Sequence, residues 1–331
     1  MHCSIDLEAP GTQVGQLELP RSTNTSGWSH LFIPIVSING GDGPVALVIG
    51  GVHGDEPEGQ IAALRLARET DPDDVLGRLI VVPCASPEAS RAFTRLWPSG
   101  ANFNRSFPGS PDGPPDRQLA DFFTRFLIPR ADVVIDMHSG GRSGLCPPWS
   151  EMHWVEDPTQ RRAMVEAMLA WGTDYHFVYI DIAGGGLLVG EAERQGKVVV
   201  STELGGGGHV TASTHRIARE GLANVLRHVG VLRGEVAHRT TSPVIGRATD
   251  VENYLLAPES GLWETFVDLG ERVAAGDPVG QIHFLERPDR EPAVVRAEND
   301  GIVFVVRAIA PTEQGDNVAV IAREIDVAEL Q

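Results

Sequence analysis

Three thiols, Cys3, Cys84 and Cys146, are all the cysteine in these 331 residues. Their odd number and the absence of any C-x-x-C pair exclude a disulfide framework and a thiolate zinc cluster, and fit a reducing compartment. No stretch approaches the roughly 18 apolar residues of a membrane span. The opening MHCSIDLEAPG lacks the basic region and apolar stretch of a secretion signal, so the chain is expected to be cytoplasmic, with no membrane partner. Positive charge never clusters: Arg161 and Arg162, and the arginines between 216 and 239, are interleaved with Glu or apolar residues, and the formal net charge is -18. That excludes nucleic acid as a partner. The acidity itself reads as a solvated surface and points to no substrate. There is no tandem repeat and no long low-complexity tract. The glycine clusters at 184–186 and 205–208 are too short for linkers and read as loops that something approaches closely.

What is present is an alternation of short β-branched runs with longer helical stretches. VALVIG (45–50), RLIVVP (78–83), DVVIDM (132–137) and KVVVST (197–202) read as strands, and 59–68, 117–127, 160–171 and 216–229 as helices. The strands are almost wholly apolar rather than alternating, as expected of a sheet covered by helices on both faces. The fold class is therefore α/β. Beyond about residue 235 the helical period stops, and short strands punctuated by Gly, Pro and Asp take over, so the chain divides into a catalytic domain at 1–235 and a small all-β cap at 236–331. The segments around GDPVG (276–280) and NDG (299–301) resemble a lipoyl- or biotinyl-type β-sandwich. No lysine sits at a hairpin there to carry a cofactor, so a structural cap is expected.

Chemistry-bearing residues gather at the ends of the predicted strands. VALVIG runs into a turn in which His53 and Glu56 stand three apart before a helix opening at Pro57. DVVIDM is followed by His138, and KVVVST by Glu203. In open α/β sheets ligands bind beyond the carboxyl ends of strands. Two imidazoles and a carboxylate are an ordinary three-residue zinc set that leaves a fourth position open. His53, Glu56 and His138 are the expected metal ligands and Glu203 the expected general base, with Asp136 a possible hydrogen-bond partner for the ring of either histidine. Arg105, between aromatics in ANFNRSFPG (101–109), suits bidentate recognition of a carboxylate.

The segments GGVHGDEPEG, the Asn-Arg of ANFNRSFPG, DMHSGG and TELGGGG resemble, in order and spacing over about residues 45–210, the succinylglutamate desuccinylase/aspartoacylase family, relatives of the zinc carboxypeptidases. The resemblance implies a zinc-carboxypeptidase-like mixed sheet flanked by helices with a C-terminal β domain, one Zn²⁺ per chain on His53, Glu56 and His138, and Glu203 as catalytic glutamate. It also implies Asn104 with Arg105 as the carboxylate-binding pair, and a homodimer. Family members carry an arginine near the scissile carbonyl in a segment like ASPEASR; Glu88 fills one expected place and Arg91 another, so Arg91 is the expected oxyanion partner. SGWSHLFIPI and NFNRSFPG are most similar to the branch that deacetylates Nα-acetyl-L-2,4-diaminobutyrate, which implies a small N-acetylated amino acid as substrate. Asp55, Glu151 and Asp181 remain as carboxylates able to read its free amine. The competing readings are a desuccinylase or aspartoacylase proper, a metallocarboxypeptidase, and a zinc-dependent binding or regulatory protein.

Overall fold

The four apolar runs become adjacent strands at the centre of a large mixed sheet, in the spatial order Arg78–Val82, Val45–Gly50, Val133–His138, Val198–Glu203, each parallel to its neighbour. The computed structural model that shows this describes residues 1–181, 184–237 and 242–330. Ala46, Leu47, Val48 and Ile49 are wholly inaccessible, which explains their lack of alternation: both faces are covered. On one face, Val48, Ile135 and Val200 pack with Ala62 and Ala63 of the helix Pro57–Glu69 and with Ala218, Leu222 and Val225 of the helix Ala212–His228. On the other, Leu47, Ile49 and Val134 meet Leu119, Phe123 and Leu127 from the helical segment 115–127, and Leu188 and Ala192 of the helix Leu188–Arg194. Pro57 opens its helix in the first turn, and Thr211 with Thr214 forms a reciprocal cap at 212.

The sheet extends past the expected strands on both sides. The long hairpin Gly11–Thr23 and Ser26–Asn39 adds antiparallel to Arg78–Val82. At the other side Trp149–His153 runs antiparallel to Val198–Glu203, and Tyr175–Tyr179 follows parallel. WSEMH and YHFVY gave no strand signal because polar and aromatic side chains are interspersed in them, as befits strands whose face lines a cavity.

The C-terminal region holds the expected short strands and has its own core of Val279, Ile282, Val303, Val318 and Ile321. It also continues the main sheet: Val244–Ala248 pairs parallel with Tyr175–Tyr179 and antiparallel with Asn317–Ile325, which pairs with Gly301–Arg307. Backbone hydrogen bonds thus join the segments on either side of the expected boundary near 236. Phe304 fills the seam, fully buried, with ring centroids 5.5 Å from Trp149 and 5.3 Å from Phe177. A Cβ on Gly246 would lie 2.4 Å from the Phe304 ring, so glycine is what admits the phenyl group there. Phe304→Ala is expected to cost about 3–5 kcal/mol, read as a shift in the urea unfolding midpoint.

Candidate active site

The parallel register sets Glu203 directly beside His138, and Ser201 beside Asp136, at the ends of adjacent strands. His53 and Glu56 arrive from the turn after Val45–Gly50. Glu56 is the residue just before the helix Pro57–Glu69, where the helix N-terminus favours a carboxylate. His53, Glu56 and His138 are all buried, and their ligand atoms lie within 4.8 Å of one another. His53 Nδ1 faces Glu56 Oε1 at 2.7 Å, and His138 Nδ1 faces Glu56 Oε2 at 2.7 Å.

The far nitrogens of both rings are backed by oxygen. His138 Nε2 lies 3.0 Å from Asp136 Oδ2, and His53 Nε2 lies 3.2 Å from Asn102 Oδ1. Each ring can therefore carry its proton on Nε2 and turn the Nδ1 lone pair toward Glu56, the usual support of a metal-ligating imidazole. Asp136 thus serves His138, while Asn102, which the sequence reading did not single out, serves His53. Burial alone would push the Glu56 carboxyl up, but the facing imidazoles hold it well below the usual carboxylate range. Burial pulls His53 below its ordinary value and keeps it neutral. Burial pulls His138 the same way, yet Asp136 and Glu56 outweigh it and raise that ring well above its ordinary value. A carboxylate flanked by two imidazoles and a further aspartate calls for a cation, and this buried donor set fits a divalent ion.

The cluster opens on a cavity of about 300 Å³, the lower end of the range for small-molecule sites. His53, Asn104, Arg105, His138 and Glu203 all line it. Glu203 has a buried oxygen, Oε2, with no hydrogen-bond partner. Burial, then the charges of Glu56 and Glu151, push its carboxyl well above the ordinary value. Asn104 accepts from the Leu188 N–H at 3.0 Å and so ties its loop to the following helix. Arg105 donates from one nitrogen to both oxygens of Asp181 at 3.0 Å and to the Gly185 carbonyl at 3.2 Å. The glycine cluster at 184–186 answers to this packing: a Cβ on Gly186 would come within 2.9 Å of the Arg105 carbonyl oxygen, at a φ of +86°.

Arg91 does not reach the cavity. It sits exposed in the last turn of the short helix Pro87–Ala92. Phe93 then takes a left-handed conformation at φ 53°, the chain reverses, and Arg95 is the arginine that lines the cavity and donates to Glu56 Oε1 at 3.0 Å. A one-turn helix ended by a non-glycine residue at positive φ leaves no mark in the sequence, so neighbouring residues gave no sign that Arg95 and not Arg91 faces the cavity. Of the three carboxylates open for amine recognition, Glu151 and Asp181 line the cavity, whereas Asp55 accepts from the Arg142 N–H at 3.0 Å outside it. The C-terminal region supplies Tyr254, Val305 and Val320 to the wall.

A mixed α/β sheet with a buried His–Glu–His cluster able to hold a metal ion beyond its strand ends defines the class of protein. The model of the succinylglutamate desuccinylase/aspartoacylase catalytic domain matches residues 42–229. The N-alpha-acetyl-L-2,4-diaminobutyric acid deacetylase of Halomonas elongata is 38% identical over 324 residues, 98% of this chain and 95% of that protein. The product-bound structure of the ectoine utilization protein EutE (DoeB) from Ruegeria pomeroyi is 39% identical and superposes with a TM-score of 0.94, over 97% of this chain and 98% of that one. A succinylglutamate desuccinylase/aspartoacylase from Rhodobacter sphaeroides gives 38% and 0.93, over 98% and 99%. The chain belongs to the succinylglutamate desuccinylase/aspartoacylase family.

The Glu203 environment yields a pH prediction. A carboxyl whose folded pKa is raised binds more protons folded than unfolded, so its stabilising effect is present below the unfolded pKa and is lost as pH rises through the folded one. Glu203→Gln, which copies the protonated form, should therefore melt higher than wild type at pH 8 in metal-stripped protein. The gap should close toward pH 4.5, as read by thermal melts across that range.

Proposed function

We propose that the chain is a zinc-dependent deacetylase that hydrolyses the acetamide of Nα-acetyl-L-2,4-diaminobutyrate, a step of ectoine breakdown, releasing acetate and diaminobutyrate. The observation that carries the reading is Glu203, a buried carboxyl with a free oxygen, set in strand register beside the metal-ligand His138 at the floor of a small cavity. The near full-length similarity to a diaminobutyric acid deacetylase supports the substrate.

Zinc on His53, Glu56 and His138 would polarise the acetyl carbonyl and lower the pKa of a water molecule toward about 7. Glu203 takes the proton from the attacking water and returns it to the departing amine nitrogen. Burial and the charges of Glu56 and Glu151 raise its carboxyl above the ordinary value, which makes it a better proton acceptor than a free glutamate. Arg95, beside Glu56 and open to the cavity, is placed to balance negative charge developing on the carbonyl oxygen. Arg105 and Asn104 hold the substrate carboxylate and so fix the amide against the metal. Arg95 and Arg105 are the arginines among the cavity-lining residues, and Glu151, Asp181 and Glu203 are its acids. That balance disfavours a second carboxylate on the substrate, whether on the acyl part of an N-succinyl donor or on the side chain of N-acetylaspartate, because each would need a cation of its own. A homodimer in the cytoplasm, with one zinc per chain, completes the proposal.

Acetate release tests it, with Nα-acetyl-L-2,4-diaminobutyrate, its Nγ isomer and N-acetylaspartate compared. The first should be strongly preferred, and Glu203→Ala should lose about 10²–10⁴-fold in kcat. Equal inactivity on all three would send the reading back to peptides or other acyl groups. Arg95→Ala should lower kcat about 10²–10³-fold, whereas Arg105→Ala should act mainly on KM. Zinc added to chelated protein should raise the melting temperature and titrate to one ion per chain by elemental analysis. The rise should vanish in His53→Ala.

A further inference from the structure

The strand Trp149–His153 brings a second carboxylate to the cavity face. Glu203 is paired with Trp149 and Ser201 with Glu151, and paired residues point to the same side of a sheet. Trp149, Glu151, Ser201 and Glu203 consequently share one face, and all four line the cavity. We propose that Glu151 is the specificity-determining residue that receives the side-chain ammonium of the substrate and selects a cationic amino acid over a neutral or anionic one. The inference rests on the deacetylase reading and names the group that chooses the side chain.

Glu151 is buried, with a relative exposure of 6%. Its Oε2 accepts from Trp149 Nε1 at 2.7 Å, and no Arg or Lys of the described residues forms an ion pair with it. The charged groups that bear on it include His138 and His153, with Glu203 on the same strand face. Two neighbouring carboxylates in a confined space, lacking an arginine or lysine partner, carry a desolvation cost that a ligand cation relieves. The rival acids are already engaged. Asp181 accepts from Arg105 and from the Gly185 N–H at 2.7 Å, and Asp55 accepts from Arg142 outside the cavity.

The reach is right. In a diamino acid with two methylenes between the α-carbon and the terminal amine, the ammonium stands roughly 5 Å from the acetylated nitrogen at full extension, by ordinary bond lengths. Same-face diagonal neighbours on adjacent strands lie roughly 7–8 Å apart at the backbone. With the scissile nitrogen at Glu203, the ammonium falls within hydrogen-bonding distance of a Glu151 side chain leaning along the same face. Phe177, Tyr179 and Tyr254 also line the cavity, and Tyr179 and Tyr254 lie near enough to Glu151 to feel its charge.

The test compares kcat/KM for Nα-acetyl-L-2,4-diaminobutyrate with that for Nα-acetyl-L-norvaline, in which a methyl group replaces the ammonium. Wild type, Glu151→Gln and Asp181→Asn are measured alike. Gln can still accept from the Trp149 indole, so the fold should hold, and a melting curve checks it. The wild-type preference for the diamine should fall roughly 10- to 100-fold in Glu151→Gln, the range of a lost charge-assisted hydrogen bond. The loss should lie mainly in KM for the diamine. A preference that survives Glu151→Gln, or that disappears in Asp181→Asn instead, overturns this inference and leaves the deacetylase reading intact. A wild-type enzyme with no preference for the diamine overturns the substrate reading and this inference together.

Discussion

The buried carboxylate of Glu56, with one oxygen against each of two imidazoles, is the constraint around which the site is organised. A charge in that position is tolerable only if cations or strong donors answer it. The protein answers in layers: two Nδ1 atoms, an Arg95 guanidinium, and an oxygen behind each ring within hydrogen-bond distance of its Nε2. The arrangement demands three strand ends at fixed register. A slip of one residue between Val133–His138 and Val198–Glu203 would turn His138 or Glu203 to the opposite face. The apolar runs that make those strands uniform and buried therefore also hold the chemistry in place.

A second constraint comes from the strands that extend the sheet beyond Val198–Glu203. Trp149, Phe177 and Phe304 pack as one aromatic cluster that belongs to neither half of the chain alone. The cavity is lined by Trp149, Glu151, Phe177 and Tyr179 from the main sheet and by Tyr254, Val305 and Val320 from the C-terminal region. The C-terminal β region is thus joined to the site by sheet hydrogen bonds as well as by side-chain contact. A cavity of about 300 Å³ is of a size for a small amino-acid derivative.

How much of this was legible before folding varies by element. The four central strands and four helices could be placed within a few residues because long apolar runs and helical spacing are signals of local sequence. His53, Glu56, His138 and Glu203 could be found because each ends or follows such a run. Trp149–His153 and Tyr175–Tyr179 escaped notice, since strands that line a cavity mix acids, histidines and tyrosines with apolar residues. Arg95 escaped for a different reason. The turn at Phe93 is set by what the short helix packs against, so Arg91 looked equivalent.

The sequence by itself determined the α/β core and placed His53, Glu56, His138 and Glu203 at strand ends, because hydrophobic period and strand-end position are written in neighbouring residues. Only the tertiary structure decided which arginine serves Glu56, which oxygen holds each imidazole, and which carboxylate shares a face with Glu203. Those choices depend on contacts between residues such as Arg95 and Glu56, His53 and Asn102, or Glu151 and Ser201, separated by tens of positions along the chain. Strand register and chain reversal, properties of the assembled sheet, bring them together.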